Sequence, residues 1–340
     1  MDSIKKVTFH IIFYASVGIT VYVAIFLSLF LFSIVMLNNG AVFSHKIMNG
    51  YQKFVYLGGA RSIWQNDPNC VTYDEDLLYK PRIGECKFVN AEFKTTLNFD
   101  EYGRIHKNKS NELGIAVIGD SQAMGWGVND SETFSAYLEE IINRPVYNLA
   151  VSSYGTYREL VRLEKSGLLN KIDTIVIQYC DNDLRENIEK VSRNSSPTSK
   201  QFDSMIGVSK PELFPTLISW IREALLVPIS EAKSFFVPHK EAYDFTPHHE
   251  AIINVFNRFP WIKSKKVVLF YANGHGKKFT NFGEFSTNSN GPPITFVDLD
   301  LGSEAYFMVD DHLNKFGHKK IAQMMAPIVS NSFNVTETRP

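Results

Sequence analysis

From Gly114 onward the chain alternates short apolar runs with longer amphipathic stretches, and this alternation constrains its fold more than any other feature. Short runs that stay apolar throughout are strands buried on both faces, and helices between them cover a parallel sheet. Strands are expected at Ile115 to Gly119, Val146 to Ala150, Thr174 to Tyr179, Lys266 to Tyr271 and Ile294 to Leu299. Helices are expected at Ser131 to Ile142, Thr156 to Ser166, His248 to Phe259 and Asn314 to Ile328. The pattern predicts a three-layer α/β domain with a five-stranded parallel sheet over residues 111–333.

An insertion at about 189–246 breaks the alternation. It starts polar ("EKVSRNSSPTSKQ") and continues as "ELFPTLISWIREALLVPI", an amphipathic, helix-like stretch. A lid that shapes a substrate site and a surface loop carrying a packed helix are both open readings.

At the N-terminus, Val7 to Leu37 contains no Asp, Glu, Lys or Arg. That length exceeds the roughly 20 residues needed to cross a bilayer. A secretory signal has an apolar core of only about 7 to 15 residues and ends at a small-residue cleavage site. "NNGAVFSHK" offers no such site, so residues 1–37 are expected to be a retained transmembrane anchor. Lys5 and Lys6 before the span place the N-terminus in the cytoplasm and the rest outside, in a periplasmic or cell-surface location. Lys46 and Lys53 after the span weaken that asymmetry.

Residues 38–110 form a juxtamembrane connector and a polar, turn-rich, strand-bearing extension that includes "KFVNAEFKTTLNF". Cys70 and Cys86 within it are candidates for a disulfide in an oxidising compartment, with a pair of buried thiols as the alternative. Cys180, ending "IDTIVIQYC", is expected to be a small buried hydrophobe. Lys+Arg 35 against Asp+Glu 36 gives a net charge of -1, which argues against a nucleic-acid partner. With 340 residues and 44% hydrophobic content, the chain can bury a sizeable core.

In open α/β sheets, ligands bind beyond the carboxyl ends of the strands. The residues expected there are Gly119-Asp120-Ser121 after the first strand, Asn148 to Gly155 around the second, and Cys180-Asp181-Asn182-Asp183 after the third. Asp310-Asp311-His312 stands just before the last helix. A serine hydroxyl is a weak nucleophile unless a base takes its proton during attack. His312 is the candidate base, and a carboxylate on its other ring nitrogen would fix its tautomer and stabilise the imidazolium.

These four blocks, in this order, resemble those of the SGNH, or GDSL, hydrolase superfamily. The resemblance covers roughly residues 112–330 and leaves the N-terminal span and the Cys70 to Cys86 segment unexplained. It implies a three-layer, flavodoxin-like α/β/α fold, with Ser121 as nucleophile, His312 as base and Asp310 as acid. It also implies an oxyanion hole built from the Ser121 amide, a second-block amide and the Asn182 side chain.

Three positions depart from the commoner family pattern. An Asp three residues before the histidine would fall at Val309, so "DDHLN" resembles the Asp-x-His-Leu-Asn variant, with Asp310 preferred to Asp311. The second-block glycine falls at Ser153, while Gly155 lies two residues on, so either amide can serve. Cys180 stands where the third block often has glycine.

Simpler roles exist for the same residues: Ser121 as a helix cap, Asn182 as a turn former, Trp126 and Tyr154 as packing aromatics instead of pocket walls. His318 is expected to pack or cap within the last helix. "PHHE", His248 to Glu250, lacks the i, i+4 spacing of two ligands on one helix face, so neither a metal nor another cofactor is expected. Anchor and resemblance together imply an extracytoplasmic serine esterase that removes or transfers a small O-acyl group, acetyl first among them. The expected substrate is an acylated glycan or other cell-envelope molecule. A lipase or lysophospholipase, and a non-catalytic glycan-binding component of an envelope assembly, are the alternatives.

Overall fold

The computed structural model describes residues 2–38, 63–90, 92–108, 110–192, 196–206, 246–272, 274, 292–299, 301–308 and 310–330. The chain divides into two compact units, 1–60 with 210–242, and 61–209 with 243–340.

In the first unit, helix α1 (Asp2–Asn38) is long and apolar enough to cross a membrane. Its 23-residue window Val7–Leu29 has mean hydropathy 2.1 and no buried share, unlike the core helix of a soluble domain. The hydroxyls within it bond back to the helix: Ser16 Oγ donates to the Phe13 carbonyl at 2.8 Å and Thr20 Oγ1 to the Ser16 carbonyl at 2.9 Å. Such back-bonding satisfies hydroxyls without water.

The second unit is built on one eight-stranded sheet and a two-stranded ribbon. The ribbon pairs β1 (Val71–Asp74) with β2 (Leu78–Pro81). The sheet contains β3 (Gly84–Val89), β4 (Lys94–Asp100), β5 (Gly103–Arg104), β6 (Gly114–Ile118), β7 (Val146–Asn148), β8 (Ile172–Tyr179), β9 (Lys266–Tyr271) and β10 (Ile294–Val297). Its spatial order is β10-β9-β8-β6-β7-β5-β4-β3. The first five in that order are mutually parallel, and the last three continue the sheet antiparallel. Counted along the chain, the parallel strands run 2-1-3-4-5, the flavodoxin-like order, with its switch point beside β6.

The helices are α2 (Ser121–Met124), α3 (Phe134–Ile142), α4 (Thr156–Lys165), α5 (Asp181–Ser192), α6 (Ser199–Met205), α7 (Thr246–Phe256) and α8 (Lys315–Ser330). Sheet alternation sorts the core into two layers. Ile115, Val117, Val268 and Phe270 face Phe134 and Leu138 of α3 and Ile321 and Met325 of α8. Ala116, Ile118, Val267 and Leu269 face Leu160 and Leu163 of α4 and Ile252 and Val255 of α7. All five residues of β6 are buried, which is why that strand is apolar without interruption. Fully burying each branched side chain contributes about 1.5–3 kcal/mol.

Two features differ from the sequence expectation. Residues 84–104, expected in a separate extension, add strands to the same sheet, with Arg104 pairing to Asn148 of β7. Their alternating strands put Cys86, Phe88, Leu97 and Phe99 into the α3/α8 core layer. A helix also begins directly after the third parallel strand: α5 carries Asp181 and Asp183 in its first turn, where the helix dipole favours negative charge. Within the insertion, Thr198 caps α6 by accepting from the Gln201 N–H, whereas the amphipathic stretch from Glu212 lies outside the described residues.

Cys70 and Cys86 are joined as a disulfide with Cα atoms 5.2 Å apart, tying β3 to the segment before β1. Closing a 16-residue separation is worth about 3 kcal/mol by loop entropy.

Candidate active site

Strand β6 ends at the sheet's switch point, and the turn that follows is fixed atom by atom. Gly119 has φ 153°, and a Cβ there would lie 2.7 Å from both Ala123 Cβ and Gln178 Oε1. Close approach therefore demands glycine. Gln178 Oε1 accepts from the Asp120 N–H at 3.0 Å and the Ala123 N–H at 3.3 Å, while its Nε2 donates to the Ala272 carbonyl at 3.1 Å. Asp120, not Ser121, is the cap of α2: its Oδ1 accepts from the Gln122 N–H at 2.8 Å. Ser121 is thereby left with its hydroxyl free of capping work.

His312 Nε2 lies 2.8 Å from Ser121 Oγ. On the other side of the ring, Nδ1–H donates to Asp310 Oδ1. That pairing leaves Nε2 as the acceptor for the serine proton. Asp310 is fully buried, whereas Asp311 is half-exposed and its Oδ1 is 3.8 Å from Nδ1. Burial lowers the His312 pKa, but the charge and hydrogen bond of Asp310, aided by Asp311 and Asp120, outweigh it and raise the pKa above the ordinary value.

The histidine loop is tied to the Ser121 turn through Gln122, whose Nε2 donates to the Asp311 carbonyl at 3.3 Å and whose Oε1 accepts from the Leu313 N–H at 3.0 Å. Asp310 Oδ2 accepts from Trp126 Nε1 at 3.1 Å and from Asn90 Nδ2 at 3.1 Å. Sequence reasoning missed Gln122 and Asn90 and left Trp126 between pocket and packing. Only the Gly-Trp-Gly spelling hinted at a fixed indole.

The remaining candidates gather nearby. Ser153, Gly155 and Asn182 line one cavity of about 430 Å³ together with Arg158, Arg185 and Glu186. Ser121, His312 and Asp310 do not line it, and the link between the two groups runs through Asp120, whose Oδ2 accepts from Asn182 Nδ2 at 3.3 Å. Asn182 retains a second N–H. Ser153 has φ 63°, the left-handed conformation that glycine adopts without cost, so the serine fills a glycine-type position. Its Oγ accepts from Gln65 Nε2 at 3.0 Å. Gly155 instead has an extended backbone and caps α4. A larger groove of about 740 Å³, bounded by Asn98, His106, Asn129 and Glu139, contains none of these residues.

Cys180 is buried, and its thiol lies against Asp120 Oδ2 at 2.9 Å and against Asn182 Oδ1. Burial first, then the charges of Asp120 and Asp183, push its pKa well up, so it remains a neutral S–H donor to the Asp120-Ser121 turn. Burial, then neighbouring acids, also raises the carboxyls of Glu159 and Asp183 well above the ordinary range. Tyr154 is buried and donates from its hydroxyl to the Tyr79 carbonyl. His248 packs against Tyr179, its Nδ1 2.8 Å from the Tyr179 hydroxyl. His318 is buried against Phe134, accepts from the Phe134 N–H at 3.1 Å and is pushed down to about 3, chiefly by burial and then by the charges of Arg104 and His312.

No protein-family profile matches the sequence, and no curated protein matches it. Several solved structures are similar. One is a protein from Desulfitobacterium hafniense DCB-2 described as lipolytic and of the G-D-S-L family, at 12% identity and TM-score 0.34 over 64% of this chain and 99% of that one. Another is the psychrotrophic esterase EstA from Pseudoalteromonas sp., at 12% identity and TM-score 0.38 over 66% and 100%. A third is the acetyl xylan esterase AlAXEase, at 13% identity and TM-score 0.31 over 64% and 99%.

Proposed function

We propose that this chain is a membrane-anchored, extracytoplasmic serine esterase of the SGNH type that removes or transfers small O-acyl groups, acetyl foremost, on a glycan or other envelope substrate. The observation that carries the reading is the 2.8 Å contact between His312 Nε2 and Ser121 Oγ, with Asp310 on the opposite ring nitrogen. In the reaction, His312 takes the Ser121 proton as Oγ attacks the ester carbonyl. The oxyanion that forms needs fixed donors, for which the Ser121 amide, the Asn182 amide and either the Ser153 or the Gly155 amide are the candidates. Collapse expels the alcohol, protonated by His312, and leaves an acyl-Ser121 ester. Water completes hydrolysis, or a sugar hydroxyl completes transfer. Helix α1 supports a membrane location, with the catalytic unit on the far side from Lys5 and Lys6.

The test is covalent. Full-length protein in detergent is treated with a fluorophosphonate and its intact mass measured, followed by peptide mapping. One adduct on Ser121 is expected, and the same mass reads whether residues 1–37 are retained. An unlabelled Ser121 together with no cleavage of short acyl esters would count against the hydrolase. Cleavage of long acyl esters in preference to short ones would favour a lipase. Acylated and bare oligosaccharides, followed by mass, separate removal from transfer.

The pH dependence has a definite sign. The active form carries neutral His312, so activity is present above its pKa and is lost as pH falls through it. Because that pKa is raised, the acid limb of kcat/KM is expected above the ordinary histidine value of about 6.5. A limb at or below that value would contradict the coupling to Asp310.

A further inference from the structure

The loop after the nucleophile sets a tryptophan between two glycines, Gly125-Trp126-Gly127. Both glycines are left-handed, at φ 86° and 82°. Neither has room for a Cβ, which would lie 2.6 Å from Thr133 Cγ2 at Gly125 and 2.7 Å from Phe307 Cε2 at Gly127. Buried Arg104 secures the same loop from β5: its NH1 donates to the carbonyls of Met124 at 3.0 Å and Gly125 at 3.3 Å, and its NH2 to that of Val128 at 3.2 Å. Asp130 Oδ1 holds the guanidinium through Nε at 2.6 Å. A backbone constrained in this way gives the indole one position.

That position is against the catalytic pair. The indole is 3% exposed, meets Phe88 edge-on at 4.5 Å between centroids, and lies flat against the His312 ring at 4.7 Å and 15°. Its Nε1–H donates to Asp310 Oδ2, the oxygen turned away from His312, at 3.1 Å. Asn90, between β3 and β4, donates to the same oxygen at 3.1 Å. The Asp310 N–H donates to Glu92 Oε2 at 2.6 Å, which pins the carboxylate's own backbone to the same hairpin.

We propose that Trp126 and Asn90 are positioning residues that orient the Asp310 carboxylate and, through it, the His312 imidazole toward Ser121; this rests on the serine-hydrolase reading. Two donors on Oδ2 leave Oδ1 to accept from His312 Nδ1. They also draw carboxylate charge away from Oδ1, which moderates the pull on the imidazolium proton. A base that grips its proton too tightly passes it slowly to the leaving alcohol. Removing either donor therefore has a signed consequence: more charge returns to Oδ1 and the His312 pKa rises further, while the imidazole is held less firmly.

The test uses the full-length chain in detergent, with Trp126→Phe, which keeps an aromatic ring beside His312 but lacks the N–H, and Asn90→Ala. Histidine side-chain titration by NMR, with the His312 resonance identified by its loss in His312→Gln, needs no substrate. Hydrolysis of a short acyl ester is followed over pH on the same samples, with thermal midpoints as a control for folding. In each variant the His312 midpoint is expected to rise by about half a unit to one unit. The kcat is expected to fall about tenfold with KM little changed, and the acid limb to move with the midpoint. A merely structural role would lower the thermal midpoint without moving the titration. Asn90→Ala keeps the test open should Trp126→Phe fail to fold. An unchanged His312 midpoint in a folded variant overturns the proposal whatever its activity. A midpoint that moves in a chain without Ser121-dependent turnover supports the contact and overturns the hydrolase reading alone.

Discussion

Ser121→Ala is expected to abolish ester cleavage, lowering kcat by about 10⁶-fold while leaving the fold in place. The two effects separate because Asp120 supplies the helix cap and Ser121 contributes only its Oγ to His312. Alanine is a better helix former than serine, so α2 tolerates the change. The cost lies in leaving His312 Nε2 without its partner, about 1 kcal/mol if the ring stays out of water. Turnover of a short acyl ester beside the thermal midpoint checks both halves. Residual activity within a hundredfold of the parent would move the nucleophile elsewhere.

Asp310→Asn is expected to lower kcat by about 10⁴-fold, for a reason specific to its surroundings. Trp126 Nε1 and Asn90 Nδ2 both donate to Oδ2, so the amide oxygen of the new side chain must occupy that place. Its NH₂ then faces His312 Nδ1, which has to accept, and the imidazole proton shifts to Nε2. A protonated Nε2 cannot take the proton of Ser121. The loss is thus one of tautomer, with packing almost unchanged because the two side chains are isosteric. Steady-state rates across pH, compared with Asp311→Asn, check this. If Asp311→Asn proved the more damaging of the two, the acid would be the half-exposed carboxylate 3.8 Å from Nδ1.

The parallel half of the sheet was legible because each strand is a short, mostly apolar run, and β6 is apolar throughout. Ile115 to Ile118 alternates between the two core layers, and a strand buried on both faces has no polar side to hide its signal. Ser121 was legible from its place at the end of such a run, and His312 from its place beside two aspartates just before the last helix. Strands β3 and β4 were legible as strands but not as part of this sheet, because their attachment runs through the short β5 and its single pairing between Arg104 and Asn148, which no local pattern encodes. Helix α5 was obscured because its opening Asp-Asn-Asp has poor helix propensity and is favoured by the terminus it occupies. The supports of Asp310 were hidden for a related reason: Asn90 lies 220 residues away and Trp126 184, so each reads as ordinary until the chain closes. Ser153 spelled a departure from the family glycine, yet its backbone keeps the glycine-like conformation, at a cost of roughly 1 kcal/mol.

On the proposed serine-hydrolase reading, the separation of Ser121 and His312 along the chain also sets when activity can arise. Ser121 and His312 are 191 residues apart, and α8 follows immediately after the histidine. A chain emerging from the ribosome carries its serine early, but that serine has no base until the last helix has been made and docked. Contacts of this separation form late because loop closure must precede them. Under the proposed reading, the nascent chain cannot attack esters during synthesis or any passage across a membrane until His312 has been made and α8 has packed against the sheet.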